Sequence, residues 1–139
     1  MSRTIVLVAC VGMKQLAVAP ARDLYTSPWF RKARAIAERA DAWYILSAAH
    51  GVLHPDTPTA PYDATLNRMT AAARREWSAH VRRRLDTLLT RGDRVTIFAG
   101  ERYRDGLETH LRRRGVHPNV PMRGLGIGQQ LAWLTRNHP

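Results

Sequence analysis

Ile5-Val6-Leu7-Val8-Ala9-Cys10-Val11-Gly12-Met13-Lys14 is the stretch that decides the fold. A short run that is apolar at every position is what a strand covered on both faces requires, and here it stops abruptly at a cysteine, a glycine and a lysine. Trp43-Tyr44-Ile45-Leu46-Ser47 repeats the pattern and exits through Ala48-Ala49-His50-Gly51; Val95-Thr96-Ile97-Phe98-Ala99 repeats it again and exits through Gly100-Glu101. From about Asp23 to Ala40, Trp29, Ala33, Ile36, Ala37 and Ala40 recur at helical spacing, with Thr26 or Ser27 as N-cap and Pro28 at the first helical position. From Thr70 to Thr90, Trp77, Val81, Leu85 and Leu88 form a second apolar stripe. Val116 to Met122 supplies a fourth, proline-interrupted strand, and Gly124-Leu125-Gly126-Ile127-Gly128 opens a last helix. This alternation predicts a single three-layer, Rossmann-like α/β domain over residues 1–139, with a mostly parallel sheet of about four strands and helices on both faces.

Composition narrows the setting. At 139 residues the chain is long enough to bury a core without staples, its one cysteine cannot form an internal disulfide, and no apolar run is long enough to span a bilayer. The expectation is a cytoplasmic protein with no membrane contact. The net charge is +11, and every basic residue except Lys14 and Lys32 is an arginine. Arginine grips phosphate bidentately, so nucleic acid or a nucleotide is the expected partner; a GC-rich coding bias gives the same composition with no partner at all.

In an open parallel sheet, ligands bind beyond the carboxyl ends of the strands, which brings Cys10 to Lys14, Ser47 to Gly51 and Gly100 to Tyr103 together. Cys10 is either a thiolate activated by a nearby ammonium or a small core residue. Lys14 can hold a phosphate, although the loop lacks the spacing and the Lys-Ser/Thr pair of a P-loop. His50 at a strand end can move a proton near neutral pH or merely hold its loop. The stretch from Val52 to Asn67 carries Pro55, Pro58 and Pro61, which make it a loop lying over something. Within it, the Tyr62 ring can stack on a base. Asp63 can serve as base, electrostatic stabiliser or nucleophile at a sugar carbon, or it and Asn67 can cap the following turn or helix. Gly126 and Gly128 resemble a phosphate-binding turn, with Gln129 and Gln130 available for base or ribose contacts; close packing of the terminal helix explains the glycines as well. Tyr25, Ser27, Ser47, Glu101 and Tyr103 complete the candidate substrate-binding set. Neither a metal site nor a cofactor is expected, since the histidines lack ligand spacing.

Taken together, Cys10-x-x-x-Lys14, Leu24-Tyr25-Thr26-Ser27-Pro28-Trp29-Phe30, Ile45 to Gly51, Pro61-Tyr62-Asp63-x-Thr65-Leu66-Asn67 and Gly124 to Leu131 resemble a family of small bacterial and phage proteins known only as a domain of unknown function. The resemblance spans nearly the whole chain. That pattern has Ser after the cysteine and Lys before His-Gly, where this chain has Val11 and Ala49, which implies an altered or weakened member if those positions matter to activity. More distantly, the Cys/Lys opening with Tyr25 and Ser27 is similar to the core of archaeosine-synthase-type tRNA-modifying proteins, and the layout to the DNA-binding YaaA family. Both resemblances imply nucleic-acid base chemistry.

The expected function is therefore an enzyme, of DNA glycosylase or base-modifying type, that acts on a nucleobase or its N-glycosidic bond. Asp63, His50 and Cys10 are its candidate catalytic groups. The alternative is a non-catalytic DNA- or RNA-binding accessory protein that uses Arg74, Arg75, Arg82 and Arg83 as its phosphate-binding face.

Overall fold

The strand Thr4–Ala9 (β1) is buried from its second residue on, and its side chains alternate between two cores: Val6 and Val8 enter one, Ile5 and Leu7 the other. The computed structural model describes residues 2–10 and 14–139. After β1 come β2 (Ala19–Pro20), α1 (Ala21–Leu24), α2 (Pro28–Ala37), β3 (Ala42–Ser47), β4 (Gly51–Leu53), β5 (Pro58–Thr59), a 3-10 turn (Leu66–Arg68) and α3 (Ala71–Leu88). The chain closes with β6 (Arg94–Phe98), α4 (Glu101–Arg104), α5 (Leu107–Arg113), β7 (His117–Asn119) and α6 (Ile127–Arg136).

The result is a mixed α/β structure whose five-stranded sheet has the order β4-β3-β1-β6-β7, parallel throughout except for β4. Residues of α1, α2 and α6 fill the core on one face, and residues of α3 and α5 fill the core on the other. The chain runs outward from β1 to β3, then crosses back to β6 on the far side of β1. Between β1 and β6 the strand order therefore reverses, the point at which such sheets leave a crevice at their carboxyl ends.

Three details differ from the sequence expectation. The fifth strand, β4, arises where an exit loop was expected, because Gly51 takes φ +74 and lets Val52 and Leu53 double back against Leu46 and Ile45. A Cβ at that glycine would lie 2.6 Å from the His80 ring, so α3 closes the turn from behind. The helix expected from Asp23 to Ala40 is split: Tyr25 is extended at φ −92 and ψ 123, and the chain restarts as a helix at Pro28 with the Ser27 hydroxyl accepting from the Phe30 N–H at 3.1 Å. Proline disfavours helical backbone in the residue before it, which breaks the run there. Finally, threonines supply the caps proposed for Asp63 and Asn67: Thr65 accepts from the Asn67 N–H, and Thr70 from the Ala73 N–H. No helix among the described residues is long and apolar enough to cross a membrane.

The opposite end of the central strands is fastened by charge. Asp93, only 2% exposed, meets Arg3 at 2.7 Å and accepts from the Thr90 N–H at 2.8 Å, while Arg3 also donates to the Leu88 carbonyl at 3.1 Å. Burial pushes the Asp93 carboxyl up, but the Arg3 guanidinium and the Thr90 N–H outweigh it and hold it below the usual carboxylate range. A depressed pKa gives stability that is present above the unfolded value and is lost as pH falls through the folded one. Asp93→Asn should therefore cost about 1–3 kcal/mol in urea unfolding at neutral pH. The gap to the parent should close as the buffer is taken to strong acid.

Candidate functional site

β1 delivers Cys10 to the crevice, where its N–H donates to the Leu46 carbonyl at 3.1 Å and so sets the sulfur level with Ser47 on the neighbouring strand. The proline-rich loop returns over this end of the sheet and is held by β5 pairing antiparallel with β2. It lowers Tyr62 onto the two strand ends. The Tyr62 hydroxyl lies 2.6 Å from the Tyr25 hydroxyl, 2.7 Å from Ser47 Oγ and 3.3 Å from Cys10 Sγ. A fourth group, the Tyr103 hydroxyl from α4, stands 4.0 Å from the same sulfur.

One hydroxyl has one proton to give and two lone pairs to fill. Tyr62 satisfies all three if Tyr25 and Ser47 donate to it and it donates to the sulfur. Ser47 Oγ in turn accepts the His50 N–H at 3.1 Å, and its carbonyl accepts from Trp77 Nε1 at 2.8 Å, so its place is fixed from both sides. Such a chain of donors polarises toward Cys10, which suits negative charge on sulfur. Lys14 adds a cation: its Nζ is 4.6 Å from the Tyr62 ring centroid and 5.8 Å from that of Tyr25, to which Lys14 is also bridged through the backbone. The His50 ring meets Tyr62 edge-on at 5.1 Å.

Burial raises the pKa of Tyr25, Tyr62 and Tyr103 well above the ordinary tyrosine value, and negative charge on Cys10 raises all three further. The phenols therefore stay protonated and act as donors.

Beside the cluster, a cleft of about 350 Å³ is lined by Trp29, Asn67, Glu101, Tyr103, Ile127 and Gln130 among others. Tyr103 belongs to both, with its ring on the cleft and its hydroxyl toward Cys10. Trp29 Nε1 donates to Gln130 Oε1 at 2.9 Å, which ties the start of α6 to α2 and fixes one wall.

The structure thus gathers Cys10, Lys14, Tyr25, Ser47, His50, Tyr62 and Tyr103, with Asn67 and Glu101 on the adjoining cleft. Asp63 lies outside the cluster: its side chain is 88% exposed and paired with Arg68 at 3.3 Å. Ser27 caps α2. Gly126 precedes α6 in extended backbone, Gln129 Oε1 accepts its N–H at 3.0 Å, and Gly128 is exposed within the first turn. Among the three glycines of that turn only Gly124, at φ +79, needs the left-handed conformation. Val11 is outside the described residues, and Ala49 is exposed next to His50. Trp29, on the apolar stripe read from the sequence, is buried in the core and at its margin also lines the cleft, a second role that helical spacing does not show. Among the described residues, no three His, Cys, Asp or Glu side chains gather to hold a metal ion.

A family of unknown function, DUF6884, matches this chain over residues 5–136. No curated protein and no solved structure matches it.

Tyrosines whose folded pKa is raised stabilise the fold below their unfolded value, and that stability is lost as pH rises through it, about 10. Unfolding free energy should fall steeply above that pH. Tyr62→Phe should flatten the fall and cost about 1–3 kcal/mol at neutral pH, because Tyr25 and Ser47 lose their common acceptor. Denaturant titrations of both proteins across an alkaline pH series measure both effects.

Proposed function

The chain belongs to the DUF6884 family of unknown function, and we propose that it is an enzyme acting on a nucleobase or its N-glycosidic bond, with Cys10 at the centre of the chemistry. The observation that carries this reading is the Cys10 sulfur beneath a Tyr62 hydroxyl that Tyr25 and Ser47 supply with donors, at the crevice where the strand order reverses. We read the whole as a Rossmann-like doubly wound domain, in which that crevice is the place for a ligand.

A sulfur nucleophile can add to a ring carbon of a nucleobase, opening a ring π bond that later elimination of the thiolate restores. Or it can attack the sugar carbon, where the C–S bond forms as the N-glycosidic bond breaks, the base leaves with a proton, and water then cleaves the C–S bond to free the enzyme. The Tyr62 hydroxyl donates to the sulfur and the Tyr103 hydroxyl stands beside it, so hydroxyl groups face the attacking atom. The aromatic walls of the cleft supply a stacking surface that any base can use. Lys14 supplies positive charge for a phosphate or for developing negative charge. His50, edge-on to Tyr62, is the titratable group placed to pass a proton to or from the base. Asp63 takes no part, because its carboxylate is solvated and paired with Arg68.

The test is turnover. Purified protein is incubated with labelled single- and double-stranded DNA and RNA carrying ordinary and modified bases, and free or altered base is followed by chromatography. Cys10→Ala should lower the rate by about 10³-fold or more, and Asp63→Asn should leave it within about twofold. Full turnover by Cys10→Ala would sink the assignment. Salt-sensitive retention of nucleic acid with no chemical change anywhere in the panel would instead identify a non-catalytic binding protein.

A further inference from the structure

The acidic residues of this protein are unevenly spent. Glu108 alone takes Arg104, Arg112 and Arg123; Asp23 and Glu38 share Arg34; Asp93, Asp56 and Asp63 hold Arg3, Arg22 and Arg68. By contrast Arg74, Arg75, Arg82, Arg91, Arg102 and Arg113 form no ion pair among the described residues, and neither do the exposed Arg31, Arg39, Arg83, Arg84, Arg94 and Arg136. The first six line adjoining hollows. A hollow between α3 and the α4–α5 connection is lined by Arg74, Arg75, Arg82 and Arg102, with Ser78 and Asp105. Arg82 and Gly106 carry it into a second hollow that reaches Arg113, and Arg113 carries it into a third that reaches Arg91 and Arg114. At its other end Arg102 also lines the cleft beside Tyr103. Shared residues thus join four depressions into one groove.

We propose that this groove holds the sugar-phosphate backbone of a single polynucleotide strand and leads one of its nucleotides into the cleft at Tyr103. The groove follows α3, whose 18 residues span about 27 Å, a length that suits a strand and is far beyond a mononucleotide. Its arginines fall in successive hollows along α3 rather than in one, which is what successive phosphates require. Its carboxylates are few: Asp105 at the α4–α5 connection, and Asp86, which is already engaged by His110 at 2.7 Å and by Arg114 at 3.4 Å. Arg83 and Arg84 stand outside the groove on the exposed side of α3, so the phosphate-binding set differs from the one read off the sequence by dropping Arg83 and adding Arg91, Arg102 and Arg113. Delivery into the cleft rests on the base-directed reading above; binding along the groove does not.

The test is equilibrium binding of a fluorescent thymidine single strand about 16 nucleotides long, and of its duplex with the complementary strand, to the intact protein over a salt series. Neither measurement needs turnover, so failure of the chemistry and failure of the groove are read separately. Arg82→Gln with Arg102→Gln should weaken single-strand binding at least tenfold and make the salt slope shallower by about 1.4, the loss of two phosphate contacts. Arg83→Gln with Arg84→Gln removes the same charge outside the groove and should change affinity less than twofold. Photo-crosslinking of a bromouracil-substituted strand to the unaltered protein should place adducts in α3, α4 and α5. Equal losses from the two pairs, tighter binding of the duplex, or crosslinks confined to other elements would each overturn the proposal.

Discussion

The pairing of β1 between β3 and β6 governs everything else in this protein. Its parallel register with both neighbours, from Ile5 against Ala42 and Val95 onward, brings the ends of the strands to one level. Cys10 continues that register by one further hydrogen bond to Leu46, and so the sulfur is placed by backbone geometry before any side chain is considered. If β1 slipped by one residue, Val6 and Val8 would exchange cores with the larger Ile5 and Leu7, overpacking one core and leaving a cavity in the other. The Arg3–Asp93 pair holds the other end of β1 against β6, so the strand is fixed at both termini by different forces.

Around that fixed sulfur the site is assembled from segments that have little structure of their own. Tyr25 sits in the break between two helices, Tyr62 in a proline-rich loop and Tyr103 in a single helical turn. Burying three phenols near a thiol is costly unless each finds a partner, and Tyr62 resolves this by serving as common partner to Tyr25, Ser47 and Cys10. The same arrangement makes the tyrosines poor acids and steady donors. That geometry satisfies the phenols and puts a hydroxyl donor on the sulfur.

Charge is organised on a larger scale. An excess of +11 could be spread evenly over the surface, yet the carboxylates are drawn into pairs around α2 and α5 and at the start of β6, which leaves a file of unpaired arginines along α3 and the turns that face it. Intramolecular pairing thereby shapes the external field as much as the arginines themselves do. The cleft at Tyr103 lies at the end of that file.

By itself the sequence determined the βα alternation, the central apolar strand, the placement of Cys10 and Ser47 at strand ends and of Tyr103 in the segment that follows β6, and a proline-rich loop lying over the sheet. Each of these is a local matter of period, length and breaker residues, and local matters are written in neighbouring residues. Only the tertiary structure decided that β4 folds back from Gly51, since the reversal depends on a positive φ and on His80 arriving from α3. Only it separated Tyr62 from Asp63: adjacent residues in an extended loop point to opposite sides, so one entered the cluster and the other met Arg68 in solvent. The same holds for Arg82 and Arg83. A helix places successive residues about 100° apart around its axis, and which of the two faces the α4–α5 connection is set by how Trp77, Val81 and Leu85 seat α3 on the sheet.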